Sequence, residues 1–166
     1  MRYLVDGHNL IPNLPGMGLQ AIDDEMELVQ ILLAFCARGA HQMEVYFDNA
    51  PAGQAGKRQF GRVTAHFVRA GRTADAAIAA RLNRLGREAR QWCVVSSDRS
   101  VQAAARAAQA EVLPSPAFAL RLQAATPPPE ESAEGREMPP DPGEVEEWLR
   151  IFNQPRSTQG GKSRKP

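Results

Sequence analysis

Four aspartates, Asp6, Asp48, Asp75 and Asp98, are the residues of this chain best placed to do chemistry. Asp6 follows Tyr3-Leu4-Val5, Asp48 follows Val45-Tyr46-Phe47, and Asp98 follows Val94-Val95-Ser96-Ser97. Each of these apolar runs reads as a short strand. Asp75 opens the alanine-rich stretch that begins at Thr73. In a parallel sheet the carboxyl ends of the strands share one edge, and ligands bind there. Topology can therefore collect four acids that are far apart in sequence. Carboxylates held close together repel and raise one another's pKa. A hard divalent cation relieves that repulsion, and Mg²⁺ or Mn²⁺ suits oxygen ligands better than Zn²⁺ does. Such a cation acidifies water and stabilises charge on a phosphate during in-line displacement. All four aspartates are thus expected to be metal ligands. Each one alone also fits an ordinary turn or a helix start; only the four together at one edge point to a metal.

Other polar residues stand beside these acids. Asn9 either orients a water or a phosphate, or caps its own turn. Thr73 and Ser97 stand next to helix starts, where they cap backbone donors or lean toward the metal ligands as supporting groups. His8 is expected to face solvent or bond within its turn. His41 and His66 read as structural or exposed. Neither a His/Cys zinc spacing nor a phosphate-cradling glycine-rich loop is present.

The elements that must position these residues follow from periodicity and breakers. Strands are expected at residues 2–5, 43–47, 63–68, 92–95 and 111–113. Between the first two, Met26, Val29, Leu32, Leu33 and Cys36 recur at helical steps, which predicts a helix from Asp23 to Arg38 ended by Gly39. Further helices are expected from Thr73 to Arg90, from Ser97-Asp98 to Gln109, and from Ser115 to Ala124. The stretch from Ala50 to Gly61 reads as a mobile basic loop. The order β, α, β, β, α, β, α, β, α implies an α/β domain with a mainly parallel sheet of about five strands and helices on both faces.

At 166 residues the chain has room for one such domain, expected over residues 1–125, with appendages. Thr126-Pro127-Pro128-Pro129 opens a Pro/Glu-rich linker over residues 126–143. Residues 144–153 are expected to form a short amphipathic helix with Val145, Trp148, Leu149 and Phe152 on one face. Trp148 and Phe152 are expected to dock on the domain or on a partner. Residues 154–166 read as a disordered basic tail. No apolar run reaches the roughly 18 residues of a membrane span, and the start does not read as a signal peptide. A cytoplasmic location is expected, with Cys36 and Cys93 as buried reduced thiols.

The net charge of +1 conceals a segregation. Basic residues dominate from Lys57 to Arg90, acidic ones from Glu130 to Glu147, and basic ones again from Arg156. Local fields rather than the whole-chain sum steer a polyanion. Lys57, Arg58, Arg72, Arg81, Arg84 and Arg99 are candidate contacts to the backbone of such a polyanion, with Arg81, Arg84 and Arg87 stepping along one helical stripe.

Taken together, Val5-Asp6-Gly7-His8-Asn9-Leu10-Ile11, Val45-Tyr46-Phe47-Asp48, Thr73-Ala74-Asp75-Ala76-Ala77-Ile78 and Val94-Val95-Ser96-Ser97-Asp98 resemble the NYN domain, in its bacterial YacP-like branch. That domain belongs to the PIN-like nuclease group. The resemblance spans roughly residues 1 to 125, with a weaker echo at Val145-Glu146-Glu147-Trp148-Leu149. It implies a Rossmann-like PIN fold and a metal-dependent ribonuclease, expected to act as an endoribonuclease and to leave a 5′-phosphate. It implies catalytic and metal-site roles for Asp6, Asp75 and Asp98, with Asn9 close by; the role of Asp48 is less defined. The Pro/Glu-rich insertion departs from the pattern.

An alternative is an RNA- or ribonucleoprotein-binding module with a weak or vestigial site, its RNA presented within a larger ribonucleoprotein. A phosphatase of the haloacid-dehalogenase type would need a second acid two residues after the first, where His8 stands.

Overall fold

The structure is a computed structural model that describes residues 1–18 and 23–125. The expected linker, the amphipathic stretch with Trp148 and Phe152, and the basic tail lie outside the described residues. The elements run β1 (Arg2–Asp6), α1 (Gly7–Leu10), a 3₁₀ turn (Ile11–Asn13), α2 (Asp24–Gly39), β2 (Gln42–Ala50), β3 (Gly56–Phe60) and β4 (Val63–Arg69). They continue with α3 (Ala74–Leu85), a 3₁₀ stretch (Gly86–Gln91), β5 (Trp92–Val95), α4 (Arg99–Ala107), β6 (Glu111–Leu113) and α5 (Ser115–Ala125).

The six strands lie in the order β3-β4-β2-β1-β5-β6, and only β3 is antiparallel to its neighbour. β1 is central, and its alternation fills two cores. Tyr3 and Val5 join Val29, Leu32, Phe47 and Phe118 under α2 and α5, while Leu4 joins Tyr46, Ile78 and Val94 under α3 and α4. Both faces are covered, which is why these strands read as continuous apolar runs. Among the described residues, no helix is long and apolar enough to cross a membrane. Cys36 and Cys93 are buried free thiols, pushed up to about 11 by burial.

Three local expectations change. The basic stretch from Ala50 to Gly61 is not all loop, because Gly56–Phe60 forms an edge strand on β4. A two-residue turn at Gly61-Arg62 closes that hairpin, with Gly61 at φ 52, the positive angle such turns demand. The helix expected from Thr73 to Arg90 leaves α-geometry at Leu85 and continues as 3₁₀. β2 runs past Asp48 to Ala50, with an irregularity in its pairing after Phe47 and with Asn49 at φ 58. Asp48 therefore lies inside the end of a strand rather than beyond it.

On the α3 face, Glu44 of β2 accepts a two-pronged bond from Arg81 of α3, at 2.7 to 3.1 Å, and a bond from Tyr46 Oη at 2.9 Å. His66 Nε2 lies 3.2 Å from Glu44 Oε2 at a poor hydrogen-bond angle, and its ring stacks on Tyr46. Burial raises the Glu44 pKa, but the close His66 imidazole and the bonds from Arg81 and Tyr46 outweigh it and hold the group at about 2, against an ordinary 4.5. Arg81, expected on sequence to grip RNA, is thus committed to the sheet, where it also lies over Trp92. Its partner on the adjacent strand captures it at close range.

A folded-state pKa held below the ordinary one stabilises the fold above about pH 4.5, and this contribution fades as pH falls toward about 2. We expect Glu44→Gln to cost about 1–3 kcal/mol at pH 7. Urea denaturation should show the gap to wild type closing as pH falls from 5 toward 2, and a gap independent of pH would contradict this account.

Candidate active site

The site begins where β1 ends. Asp6 terminates the central strand and is the N-cap of α1, its Oδ1 accepting from Asn9 N–H at 3.4 Å. The expected turn at Asp6-Gly7-His8-Asn9 is a single helical turn. Gly7 permits it, because a Cβ there would collide with the buried Phe47 ring. On the adjacent strand, β5 delivers Ser96 and Asp98. Ser96 Oγ donates to Asp6 Oδ2 at 3.2 Å and accepts from Asp98 N–H at 3.1 Å. Asp98, rather than Ser97, is the N-cap of α4, accepting from the backbone of Ser100 and Val101. Thr73 caps α3 through Ala76 N–H, which places Asp75 in its first turn.

The acids do meet electrostatically. Asp6 is only 6% exposed. Burial pushes its pKa up to about 6; the Asn9 N–H and the Ser96 hydroxyl oppose the shift, and the charges of Asp75 and Asp48 add to it. Asp75 is likewise raised, first by burial and then by Asp98, with Asp48 adding further. Asp98 is lowered by the Ser100 hydroxyl and by the Val101 and Ser100 N–H groups. Ser100 Oγ lies 2.6 Å from Asp98 Oδ1 and 3.4 Å from Asp75 Oδ2, so a single hydroxyl bridges two carboxylates.

Asn9 has a definite orientation. Its Oδ1 accepts from Ser97 N–H at 2.8 Å and from Ser115 Oγ at 2.6 Å. Ser97 Oγ in turn accepts from Ser115 N–H at 3.1 Å. The Asn9 amide nitrogen has no partner among the described residues and remains a free donor at the rim. The network joins the ends of β1, β5 and β6 at one edge.

His8 departs from expectation. Its ring bridges Asp48 through Nδ1 and Glu25 of α2 through Nε2, the latter at 2.9 Å. It therefore ties the first turn after β1 to β2 and to the start of α2, and Asp48 is held by this imidazole. Sequence reasoning missed Glu25, Ser96, Ser100 and Ser115 altogether. The rule that found the aspartates would also have found Ser96 and Ser115, because both closely follow a strand end.

The basic candidates divide. Lys57 and Arg58 are exposed at the start of β3, which enters beside the carboxyl end of β4, and Arg58 lies over the Phe67 ring. Arg72 and Arg99 are exposed and flank Asp75 and Asp98 in sequence. Arg84 is exposed farther along α3, and Arg81 is turned to Glu44. Among the described residues, no three carboxylate, imidazole or thiol groups converge closely enough to chelate one ion together.

The buried acid gives a test. With its pKa raised from 3.8 to about 6, Asp6 leaves stability intact below about pH 3.8 and withdraws it as pH rises through about 6. In chelator, Asp6→Asn should therefore stabilise the protein at pH 7.5 by about 1–3 kcal/mol and change little at pH 4. Urea midpoints at the two pH values measure this; destabilisation at pH 7.5 would refute the reading.

Comparisons with known proteins agree with this fold. None of the curated proteins matches the chain. The fold is similar to that of Rae1 (YacP) from Bacillus subtilis, at 22% identity and a TM-score of 0.62, over 92% of this chain and 81% of that one. A tryptophan-to-leucine mutant of the same Bacillus subtilis protein matches at 24% identity and a TM-score of 0.62, over 75% of this chain and 76% of that one. The profile of the YacP-like NYN domain matches residues 3–147, and the chain belongs to that family.

Proposed function

We propose that this protein is a metal-dependent endoribonuclease that hydrolyses RNA phosphodiesters at the carboxylate edge of its sheet. Membership of the NYN group, a nuclease group with a PIN-like fold, supports a ribonuclease-type activity with RNA as substrate. The observation that carries the finer reading is Asp6, a nearly buried carboxyl group whose pKa is raised to about 6 beside the charges of Asp75 and Asp48. Such a cluster of acids is costly unless a cation or protons offset it.

The donor set fits Mg²⁺ or Mn²⁺: it consists of carboxylates and hydroxyls, without thiolate or a cluster of imidazoles. Mg²⁺ commonly keeps several waters and takes only one or two carboxylates, which agrees with the absence of a tight three-residue chelate among the described residues. Asp6, Asp75 and Asp98 would serve the ion, one or two of them directly and the others through waters it keeps, with Asp48 at the margin. When bound, it supplies positive charge at the scissile phosphate and acidified water.

The chain's own residues do the rest. Ser96 and Ser100 fix the carboxylate rotamers by donating to them. Asn9 offers its free amide to a phosphate oxygen, its other end being locked by Ser97 and Ser115. Arg72, Arg99, Lys57 and Arg58 surround the acidic edge with charge that attracts the RNA backbone.

The absence of a preformed chelate among the described residues also favours a second reading, an RNA-binding module with a weak site. Incubation of RNA with Mn²⁺ or Mg²⁺ separates the two. We expect internal cleavage that Asp6→Asn, Asp75→Asn and Asp98→Asn each slow by about 100-fold or more. Equal rates for wild type and Asp98→Asn would end the metal-site assignment. Salt-sensitive RNA binding with no turnover would establish the second reading. Independently of turnover, the melting temperature of wild type should rise with Mn²⁺ concentration, and that of Asp6→Asn should not.

A further inference from the structure

α3 and α4 both start at the carboxylate edge and pack side by side. Asp75 and Asp98 mark their beginnings. Their far ends border an open surface cleft of ≈ 340 Å³ whose lining includes Arg87, Arg90, Asn83 and Gln109, over Leu82 and Ala107. A rise of about 1.5 Å per residue puts this cleft roughly 15 Å from the acids. It is therefore a separate place on the molecule.

The cleft is small but within the range of ligand sites, and its cations are uncommitted. Among the described residues, neither Arg87 nor Arg90 makes an ion pair or a side-chain hydrogen bond, in contrast to Arg81. The side-chain amides of Asn83 and Gln109 are likewise without partners there. The usual structural role of arginines at helix ends is to satisfy the last carbonyls, but here the backbone does this itself. Gly86 N–H bonds Leu82 O, Ala108 N–H bonds Ala104 O, and Ala110 N–H bonds Ala105 O. Glu88, the acid nearest in sequence, is exposed and makes no ion pair with either arginine among the described residues. Two guanidinium forks and two amides thus face a concave surface with nothing to bind.

We propose that this cleft is a second anion site, one that binds a phosphate ester. Guanidinium forks match phosphate oxygens two at a time, and the neutral amides add donors without adding charge. Two sources have this chemistry: a phosphodiester of an RNA strand that also reaches the carboxylates, and the phosphate of a free mononucleotide. The first source rests on the nuclease reading; the second does not.

The experiment uses the full chain without divalent metal, so that RNA stays intact. Binding of a single-stranded RNA oligonucleotide is followed by fluorescence anisotropy across a salt series. For wild type against Arg87→Gln/Arg90→Gln, loss of two phosphate contacts should lower the slope of log K against log salt by about 1.4. Arg38→Gln, an exposed arginine at the end of α2, should leave the slope unchanged, and Arg87→Lys/Arg90→Lys should restore most of it. In parallel, amide spectra are titrated with adenosine 5′-monophosphate. Saturable shifts at Gly86, Ala108 and Gln109 that vanish in the Gln double variant, with no change in RNA slope, would assign the site to a free nucleotide. Those shifts in a protein that neither binds RNA here nor cleaves it with Mn²⁺ would refute the nuclease reading and leave the cleft standing. An unchanged slope together with unshifted amides would overturn the proposal.

Discussion

A carboxyl group at the end of a central strand has little access to water, and Asp6 is 6% exposed in that position. Its ionisation must be stabilised by neighbours or given up. The neighbours the fold provides are hydroxyl and amide donors on one side and further carboxylates on the other. The donors are too few to offset burial, so the group sits near the middle of the physiological range instead of well below it. Much of the upper edge follows from this tension. Ser96 links Asp6 to Asp98, Ser100 links Asp98 to Asp75, and His8 draws Asp48 toward Glu25. Each link holds an acid in place.

The two faces of the sheet use polar groups differently. Glu44 is also half-enclosed and acidic, yet its donors Arg81 and Tyr46 saturate it, and its pKa falls to about 2. Asp6 lacks such a partner. The contrast separates a carboxylate saturated by donors from one left with fewer donors than its burial demands. It also explains why the arginine stripe of α3 does not act as a unit: Arg81 turns inward to the sheet, and Arg84 and Arg87 remain outside.

Strand positions were legible because a buried parallel sheet writes itself as short apolar runs; Asp6 ends one such run, and Asp98 follows another after Ser96 and Ser97. Residues Trp92–Val95 and Glu111–Leu113 form strands as their patterns imply. What escaped was set by contacts across sequence. The reach of His8 to Asp48 and Glu25 spans 40 and 17 residues, and no local pattern encodes it. The capture of Arg81 by Glu44 spans 37 residues, and on helical periodicity alone Arg81 is equivalent to Arg84. β3 was lost for a different reason. Gly56-Lys57-Arg58-Gln59-Phe60 has almost no apolar content, because an edge strand with exposed faces has no core to fill. Only the Gly61-Arg62 turn signalled it.

That edge strand has a consequence for the molecule in company. The outer side of β3 is not paired within the six-stranded sheet, and such rims invite another strand to add on. Arg58 is the middle residue of Gly56–Phe60. If two copies met rim to rim in antiparallel register, Arg58 would stand directly opposite its twin, with Lys57 close by. Like charges facing across a ladder disfavour the pairing. The cations that border the acidic edge thus also discourage sheet growth from one molecule to the next.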